Sequence, residues 1–226
     1  MSSRTFFRRC LGWLGWSLAG LALLVVAMLL LLRFVNPPTT AFMLAHQFQP
    51  GKQVVRQHWV PLEAMSPWLP RAVMASEDQR FASHWGLDPE AISKALREYQ
   101  RGEGLRGAST ITQQTVKNLF LWEGRSLVRK ALEAGLAVAV DALWSKRRIM
   151  EVYLNVAEFG TGVYGVEAAS RAHFGISAKA LGPSQAARLA AVLPSPKRLD
   201  AGNPSPYVWQ RVDWIQQQMR YVAPLP

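Results

Sequence analysis

Two adjacent carboxylates end an apolar segment and run into an aromatic residue, a histidine and a glycine. This first motif is Glu77-Asp78-x-x-Phe81-x-x-His84-x-Gly86. A carboxyl group beside apolar surface can serve as a general acid or base near neutral pH, because burial disfavours its charged form. The motif therefore predicts Glu77 and Asp78 as catalytic residues. Each residue taken alone is more often structural, as part of a helix end with a packed aromatic ring.

A polar helix face follows in the second motif, whose sequence at 107–118 is GASTITQQTVKN. Gln114, Lys117 and Asn118 are three or four residues apart, so a helix presents them on one face. An ammonium group flanked by amides suits a diphosphate, because the cation balances charge while the amides orient oxygens. Thr110 and Gln113 fit a capping box at the start of that helix. Taken alone, this segment is more simply an N-capped helix with an ordinary polar face.

Cations and a further acid make up the third motif. Arg125, Arg129 and Lys130 precede Glu133, and the spacing of Arg129 and Glu133 predicts an ion pair on a helix surface. Such a pair contributes only about 0.3–0.5 kcal/mol to stability. The functional alternative is that Glu133 is a second acid, held among cations opposite Glu77.

Apolar periodicity predicts the elements that position these motifs, and few segments alternate as strands do. The fourth motif, KRRIMEVYLN at 146–155, is typical of a packed helix with a solvated face. The glycine-rich segment 102–107 is predicted to be a mobile loop that closes over substrate. Helices are predicted at 67–77, 89–100, 110–121, 126–143, 147–155, 166–174, 183–193 and 207–219. The fold class is therefore mainly α.

An uncharged apolar segment, Leu11–Leu32, lies near the N-terminus. As a helix it would span about 33 Å, enough for a bilayer core of about 30 Å. A cleaved signal peptide is the alternative, although its apolar region is usually about 7–15 residues long. Arg4, Arg8 and Arg9 precede the segment and Arg33 follows it, which favours a cytoplasmic N-terminus. We predict a cytoplasmic tail at 1–10, a transmembrane helix at 11–33, a connector at 34–58 and an external domain at 59–226.

The composition narrows the range of binding partners that we expect for this chain. The formal charge is +11, from 26 basic and 15 acidic residues, which suggests anionic lipid headgroups or a phosphorylated lipid near a membrane. A solvated basic surface explains the charge equally well. Nucleic acid is not expected, because the basic domain faces away from the cytoplasm. The only cysteine is Cys10, so the external domain has neither a disulfide nor a thiolate nucleophile.

The order and spacing of the motifs resemble the peptidoglycan glycosyltransferases. This family is shared by monofunctional transglycosylases and the N-terminal halves of bifunctional penicillin-binding proteins. A fifth family segment resembles GVYGVEAAS at 162–170, and the resemblance covers about Val60 to Met219. The sequence contains no Ser-x-x-Lys, which a transpeptidase domain would carry. The chain therefore resembles the monofunctional, biosynthetic form.

The resemblance implies a mainly helical fold, with a lysozyme-like lobe and a small membrane-proximal jaw. It implies a bacterial inner-membrane location, one membrane pass and a periplasmic catalytic domain. The implied partners are lipid II, the growing glycan strand, membrane lipids and proteins of cell division or cell-wall synthesis. The apolar cluster at 119–122 is predicted to insert at the membrane interface, with ordinary packing of a helix end as the alternative.

The implied reaction is a hexosyl transfer that polymerises lipid II with inversion at C1 and releases undecaprenyl diphosphate. Glu77 would be the base, Asp78 its support, and Glu133 would activate or position the donor. The implied substrate-binding residues are Phe81, His84, Ser109, Thr110, Gln113, Gln114, Lys117, Asn118, Arg125, Arg129, Lys130, Lys146, Arg148 and Asn155. No cofactor is required by the motifs. Some family members use Mg²⁺ or Mn²⁺, for which Glu133 is the candidate ligand.

Two alternatives stay open at this point. A lysozyme-like hydrolase or lytic transglycosylase would also use one glutamate in a helical domain, but it has no diphosphate leaving group for Lys117 to hold. A non-catalytic, membrane-anchored scaffold for cell-wall proteins would be indifferent to replacement of Glu77, apart from stability.

Overall fold

The computed structural model describes residues 3–49, 54–102, 107–124 and 126–226. The chain divides into two units, Met1–Pro37 and Pro38–Pro226. Three short strands accompany the helices in the described residues: β1 (Arg56–Gln57), β2 (Glu158–Gly160) and β3 (Val163–Tyr164). The α-helices described are α1 (Ser3–Leu32), α2 (Ala41–Gln47), α3 (Trp68–Glu77), α4 (Pro89–Gln100), α5 (Ile111–Phe120), α6 (Leu127–Leu143), α7 (Lys146–Val156), α8 (Val166–Phe174), α9 (Pro183–Val192) and α10 (Pro206–Gln218). The mainly α fold class is confirmed.

The first unit contains the predicted apolar helix. Within α1, Gly15–Leu32 is long and apolar enough to cross a membrane by length and composition. A signal sequence near an N-terminus has the same properties. The helix itself is confirmed, and its retention in the membrane stays a prediction.

The second unit is organised around two groups of packed helices. Helix α9 packs against both α3 and α10, and α5 packs against both α6 and α7. The α9 surface is rich in fully buried alanines, including Ala186, Ala187, Ala190 and Ala191. Small side chains allow the neighbouring helices to approach closely. These contacts bring the C-terminal end of α3 next to α5 and α10.

Most helix boundaries agree with the sequence periodicity, and the differences lie where the pattern is short. Helices α4 and α8 have the predicted limits. The predicted connector contains α2, which begins after Thr40, whose Oγ1 accepts a hydrogen bond from the Met43 N–H at 3.1 Å. Helix α2 packs on α5. The strands pair in the order β1-β3-β2, with β1 parallel and β2 antiparallel to β3. They have two or three residues each, too few for a period-two pattern.

Two further predicted segments are the glycine-rich loop at 102–107 and the apolar cluster at 119–122. Residues 103–106 of the glycine-rich segment are outside the described residues. In the apolar cluster at 119–122, Leu119 and Leu121 are buried, whereas Trp122 is half exposed. The two leucines therefore pack within the protein, and membrane insertion stays a prediction that rests mainly on Trp122.

Candidate active site

Glu77 is the last residue of α3 and is half-buried. Its Oε1 accepts a hydrogen bond from the Ser76 hydroxyl at 3.0 Å, and its Oε2 accepts one from the Gln114 amide at 2.9 Å. The carboxyl group also lines a cleft of about 540 Å³ whose walls include α4 and residues 107–110. Both contacts come from neutral donors, so the carboxylate is oriented without being neutralised by a cation.

Asp78 is buried and ties the first motif to the second. Both of its oxygens lie within 3.0 Å of His84 Nε2, and Oδ2 accepts the Ile111 N–H at 3.0 Å. Ile111 is the first residue of α5, where a negative charge is favourable. Phe81 is fully buried and lies edge-on to the His84 ring, 6.2 Å between centroids. These three predicted residues come together as the support beside Glu77.

Gly86 completes the join between the two motifs. Its carbonyl accepts a hydrogen bond from Thr110 Oγ1 at 2.6 Å. Its φ is +75°, and a Cβ atom there would lie 2.5 Å from the Ala137 carbonyl oxygen of α6. A side chain is therefore excluded both by conformation and by space. The predicted capping box is confirmed, because Thr110 Oγ1 accepts the Gln113 N–H and the Gln113 side chain accepts the Thr110 N–H.

A buried tyrosine that the sequence did not single out orients Gln114. Tyr153, on α7, donates its hydroxyl to the Gln114 Oε1 at 3.0 Å, while the same amide donates to Glu77. Burial, reinforced by the nearby acidic charges, raises the pKa of Tyr153 well above its ordinary value. The hydroxyl therefore stays protonated and remains a donor. This contact fixes the orientation of the Gln114 amide, so that its oxygen accepts from Tyr153 and its NH₂ group donates to Glu77.

Glu133 lies at the centre of a cationic cluster. It is almost fully buried, its Oε2 is 2.8 Å from Arg129 Nη1, and its Oε1 contacts Lys130 Nζ. Lys130 also donates to the Ser109 hydroxyl at 2.9 Å. The predicted Arg129–Glu133 pair is confirmed, but it is a buried contact and not the surface pair that spacing alone suggested. Arg129 Nε is buried and has no hydrogen-bond partner among the described residues.

Lys117 is the cation on the polar face of α5. Its Nζ lies 5.6 Å from the centroid of the Phe42 ring, and no carboxylate of the described residues is within ion-pair distance. Burial is the main cause that lowers the pKa of Lys117 below that of an ordinary lysine. The charges of Arg129 and Lys130 lower it further, whereas the Glu133 charge opposes them. The ammonium group is thus placed to gain from an incoming anion.

Lys117 and its neighbours line a second cavity. This cavity measures about 250 Å³, and its lining includes Gln114, Lys117, Asn118 and Tyr153. Asn118 is largely buried at its edge. Gln114 therefore links the two regions, because it lines the same cavity as Lys117 and donates to Glu77, which lines the cleft.

Lys146 lies inside the protein. Its Nζ is 2.8 Å from Asp141 Oδ2, donates to the His84 carbonyl at 2.6 Å, and lies 4.6 Å from the Phe81 ring centroid. Asp141 also accepts the Thr112 hydroxyl at 2.9 Å. Through these contacts Lys146 connects the first, second and fourth motifs. The substrate contact that the family resemblance implies for Lys146 stays a prediction.

Arg148 and Asn155 are also occupied by internal contacts. Arg148 pairs with Glu151 and lies over the Trp59 ring, 5.5 Å from its centroid. Asn155 is fully buried, and its amide both donates to and accepts from the backbone of Val60 at 2.9 Å. Both residues therefore hold the segment at 59–60 against α7, and they support the site through that packing. Arg125 lies outside the described residues.

The side chains around Glu133 do not fit a divalent-cation site. Each oxygen of Glu133 already contacts a cationic nitrogen. Over the described ranges, no three histidine, cysteine or acidic side chains gather closely enough to hold a metal ion. Divalent cations in proteins take several oxygen ligands, usually including more than one carboxylate.

Comparison with known proteins agrees with this geometry. The family model described as Transglycosylase matches residues 43–220. A relative from Marinomonas sp. (strain MWYL1) is 55% identical over 202 residues, 89% of this chain and 88% of the relative. One from Shewanella frigidimarina is 56% identical, covering 84% and 82%, and one from Pseudomonas putida is 50% identical, covering 95% and 91%. All three are named biosynthetic peptidoglycan transglycosylase. The chain belongs to the transglycosylase family, as its motifs predicted.

Proposed function

We propose that this protein is a peptidoglycan glycosyltransferase that polymerises lipid II into β-1,4-linked glycan strands. The observation that carries the proposal is that Gln114 donates a hydrogen bond to Glu77 and also lines the cavity that Lys117 lines. A carboxylate held by neutral donors can accept a proton, and an ammonium group without a carboxylate partner can hold a departing diphosphate. The names of the relatives support the same substrate class.

Glu77 acts as the general base. Its carboxylate takes the proton from the 4-hydroxyl of the acceptor sugar as that oxygen attacks C1 of the donor. The new C1–O bond forms on the face opposite the breaking bond, so the α-linked donor gives a β-linked product without a covalent intermediate. The bond between C1 and the diphosphate oxygen breaks, and its electron pair leaves with undecaprenyl diphosphate.

The cationic cluster stabilises that leaving group. Lys117 supplies a partly desolvated ammonium, and Arg129 Nε, which has no hydrogen-bond partner among the described residues, offers a further donor. Charge that develops on a departing oxygen is stabilised most by donors fixed in a site from which water is excluded. Glu133 keeps Arg129 and Lys130 in place between turnovers. The substrate therefore completes a cluster that carries more positive than negative charge.

The location proposed from the sequence suits a lipid-linked substrate. The basic flank before α1 favours a cytoplasmic N-terminus, which leaves the second unit in the periplasm. An N-terminal apolar helix is compatible with a membrane anchor. Contact with proteins of cell division or cell-wall synthesis belongs to the same proposal.

A glycan-cleaving enzyme is the second candidate, because it too needs one acid beside a cleft. A glycoside hydrolase releases a sugar hydroxyl, which requires a protonated acid near the leaving oxygen and not a cluster of cations. Lys117, Arg129 and Lys130 have no role in that reaction. A non-catalytic scaffold explains neither the cluster nor the orientation of Glu77.

The test is polymer formation from labelled lipid II by the full-length chain in detergent. We expect the native protein to make polymer and Glu77→Gln to make none, while circular dichroism and thermal unfolding stay native-like. Glu63→Gln is the matched control, since Glu63 is an exposed acid paired with Arg147 away from the site. Shortening of preformed glycan without polymer formation would move the protein to the hydrolase class.

A further inference from the structure

Arg211, a cationic residue of the last helix, contacts the serine that donates a hydrogen bond to Glu77. Arg211 lies on α10 and is half-buried. Its Nη2 donates to Ser76 Oγ at 3.2 Å, and its Nε donates to the Ala191 carbonyl at 3.3 Å. The Ser76 hydroxyl in turn contacts Glu77 Oε1 at 3.0 Å. A continuous hydrogen-bonded path therefore joins α10 to the candidate base, across 135 positions of sequence.

The position of Arg211 is electrostatically favourable by itself. Ala190 and Ala191 lie in the last turn of α9, where carbonyl groups carry the negative end of the helix dipole. Within the described residues, no carboxylate lies within ion-pair distance of the Arg211 guanidinium. Its charge is therefore not cancelled locally, and it acts on the hydroxyl that it contacts.

Ser76 has one hydroxyl hydrogen and two acceptors within reach. The Ala190 carbonyl lies at 3.2 Å and Glu77 Oε1 at 3.0 Å. An ionised carboxylate is the stronger acceptor. When Arg211 donates to Ser76 Oγ it occupies a lone pair and polarises the O–H bond, which strengthens the next hydrogen bond in the chain. Arg211 thereby favours the arrangement in which Ser76 donates to Glu77.

We propose that Arg211 is a positioning residue for the transfer reaction, acting through Ser76 to fix Oε1 of Glu77. Gln114 and Tyr153 hold the other oxygen. Two hydrogen-bonded paths, from α10 and from α7, thus reach the two oxygens of one carboxylate. Together they set the plane of the carboxyl group toward the acceptor hydroxyl. This inference rests on the proposed role of Glu77 as the base.

The test compares Ser76→Ala, Arg211→Met and their double variant, as full-length protein polymerising labelled lipid II in detergent. We expect each single change to lower kcat about tenfold with KM nearly unchanged, because misplacing a catalytic group by a fraction of an ångström costs rate and not binding. The double variant should lose no more than the worse single variant, since both interrupt one path. Ser76→Thr and Arg211→Lys, which keep a donor, should recover part of kcat.

Arg188→Met is the matched control. Arg188 also spans two backbone carbonyls, those of Ala201 and Gly202, but it has no path to Glu77. Its kcat should stay native. Native kcat in Ser76→Ala or Arg211→Met, or losses that multiply in the double variant, would overturn the inference while leaving the proposed function intact. If Arg211→Met does not fold, the comparison of kcat between Ser76→Ala and Ser76→Thr is sufficient by itself. Absence of polymer from the native chain would instead refute the proposed function.

Discussion

Glu77 and Glu133 are both acids of the site, yet the protein holds them in opposite ways. Glu77 is half-buried, faces a cleft and receives hydrogen bonds from a hydroxyl and an amide. Glu133 is 2% exposed and receives Arg129 on one oxygen and Lys130 on the other. One carboxylate is oriented by neutral groups, whereas the other is balanced by charges.

This difference suits Glu77 and Glu133 to different roles. Glu77 has no cation within ion-pair distance among the described residues, and its carboxyl group lines the open cleft, as a base for a bound substrate must. Each oxygen of Glu133 is instead occupied by a cationic nitrogen. The proposed role of Glu133 is therefore that of a counter-ion, which holds Arg129 and Lys130 together for the diphosphate of the substrate. The predictions that follow change one side of this comparison at a time.

Replacing Glu133 should have the largest effect on stability. Glu133→Gln leaves Arg129 buried without its partner. The charges of Lys117, Arg129 and Lys130 then repel one another without a carboxylate between them. We expect a loss of about 2–3 kcal/mol in the free energy of unfolding, less than for a fully buried pair because Lys130 is partly exposed. Denaturant unfolding of the full-length protein measures it. Glu77→Gln, which breaks no ion pair, should change stability by less than about 1 kcal/mol, and equal losses would remove the distinction.

Removing the Lys117 charge should weaken catalysis strongly without a comparable loss of stability. Lys117→Met is expected to lower kcat/KM for lipid II about 100-fold, because a fixed donor to the leaving group typically contributes that much. Unfolding stability should stay the same or rise, since burial of this ammonium opposes its charged form. A variant with native kcat/KM would place the diphosphate elsewhere.

The pH dependence of the same residue has a definite sign. Lys117 is charged below its pKa, and burial lowers that pKa, so activity should fall on the alkaline side at a lower pH than for an exposed lysine. Arginine stays protonated throughout this range. Lys117→Arg should therefore move the alkaline limb of kcat/KM upward by at least about one pH unit, whatever its effect on the maximum rate. An unmoved limb would assign the titration to another group.

Tyr153→Phe should have the smallest effect of the series. It removes the donor that orients Gln114 but leaves the Glu77 contact available. We expect kcat to fall about fivefold and the free energy of unfolding to fall by about 1 kcal/mol, the usual net value of one hydrogen bond. A fall as large as that of Glu77→Gln would mean that the tyrosine itself takes part in proton transfer.

Local features were accessible from the sequence because their partners lie within four residues. The Thr110 capping box and the Arg129–Glu133 pair were both predicted from spacing. The limits of α4 and α8 agree with those predicted from apolar periodicity. The family motifs also assigned Glu77 and Gln114 to one site, and a hydrogen bond joins their side chains.

Long-range contacts could not be predicted in this way. The Tyr153–Gln114 contact joins residues 39 apart, and the Arg211–Ser76 contact joins residues 135 apart. No local spacing signals either one. The contact between Lys146 and the His84 carbonyl joins residues 62 apart and was likewise not indicated by spacing. The short helix α2 was missed because seven residues carry little periodicity.

The most direct test of the contrast between the two acids measures lipid II affinity and single-turnover polymer formation for Glu77→Gln and Glu133→Gln side by side. We predict that Glu77→Gln binds within about threefold of native while turnover falls about 1000-fold, the range of a lost general base. Glu133→Gln should instead lose at least about tenfold in affinity, with a smaller fall in turnover of bound substrate. Turnover by Glu77→Gln within about tenfold of native, or native affinity in a folded but inactive Glu133→Gln, would contradict the account.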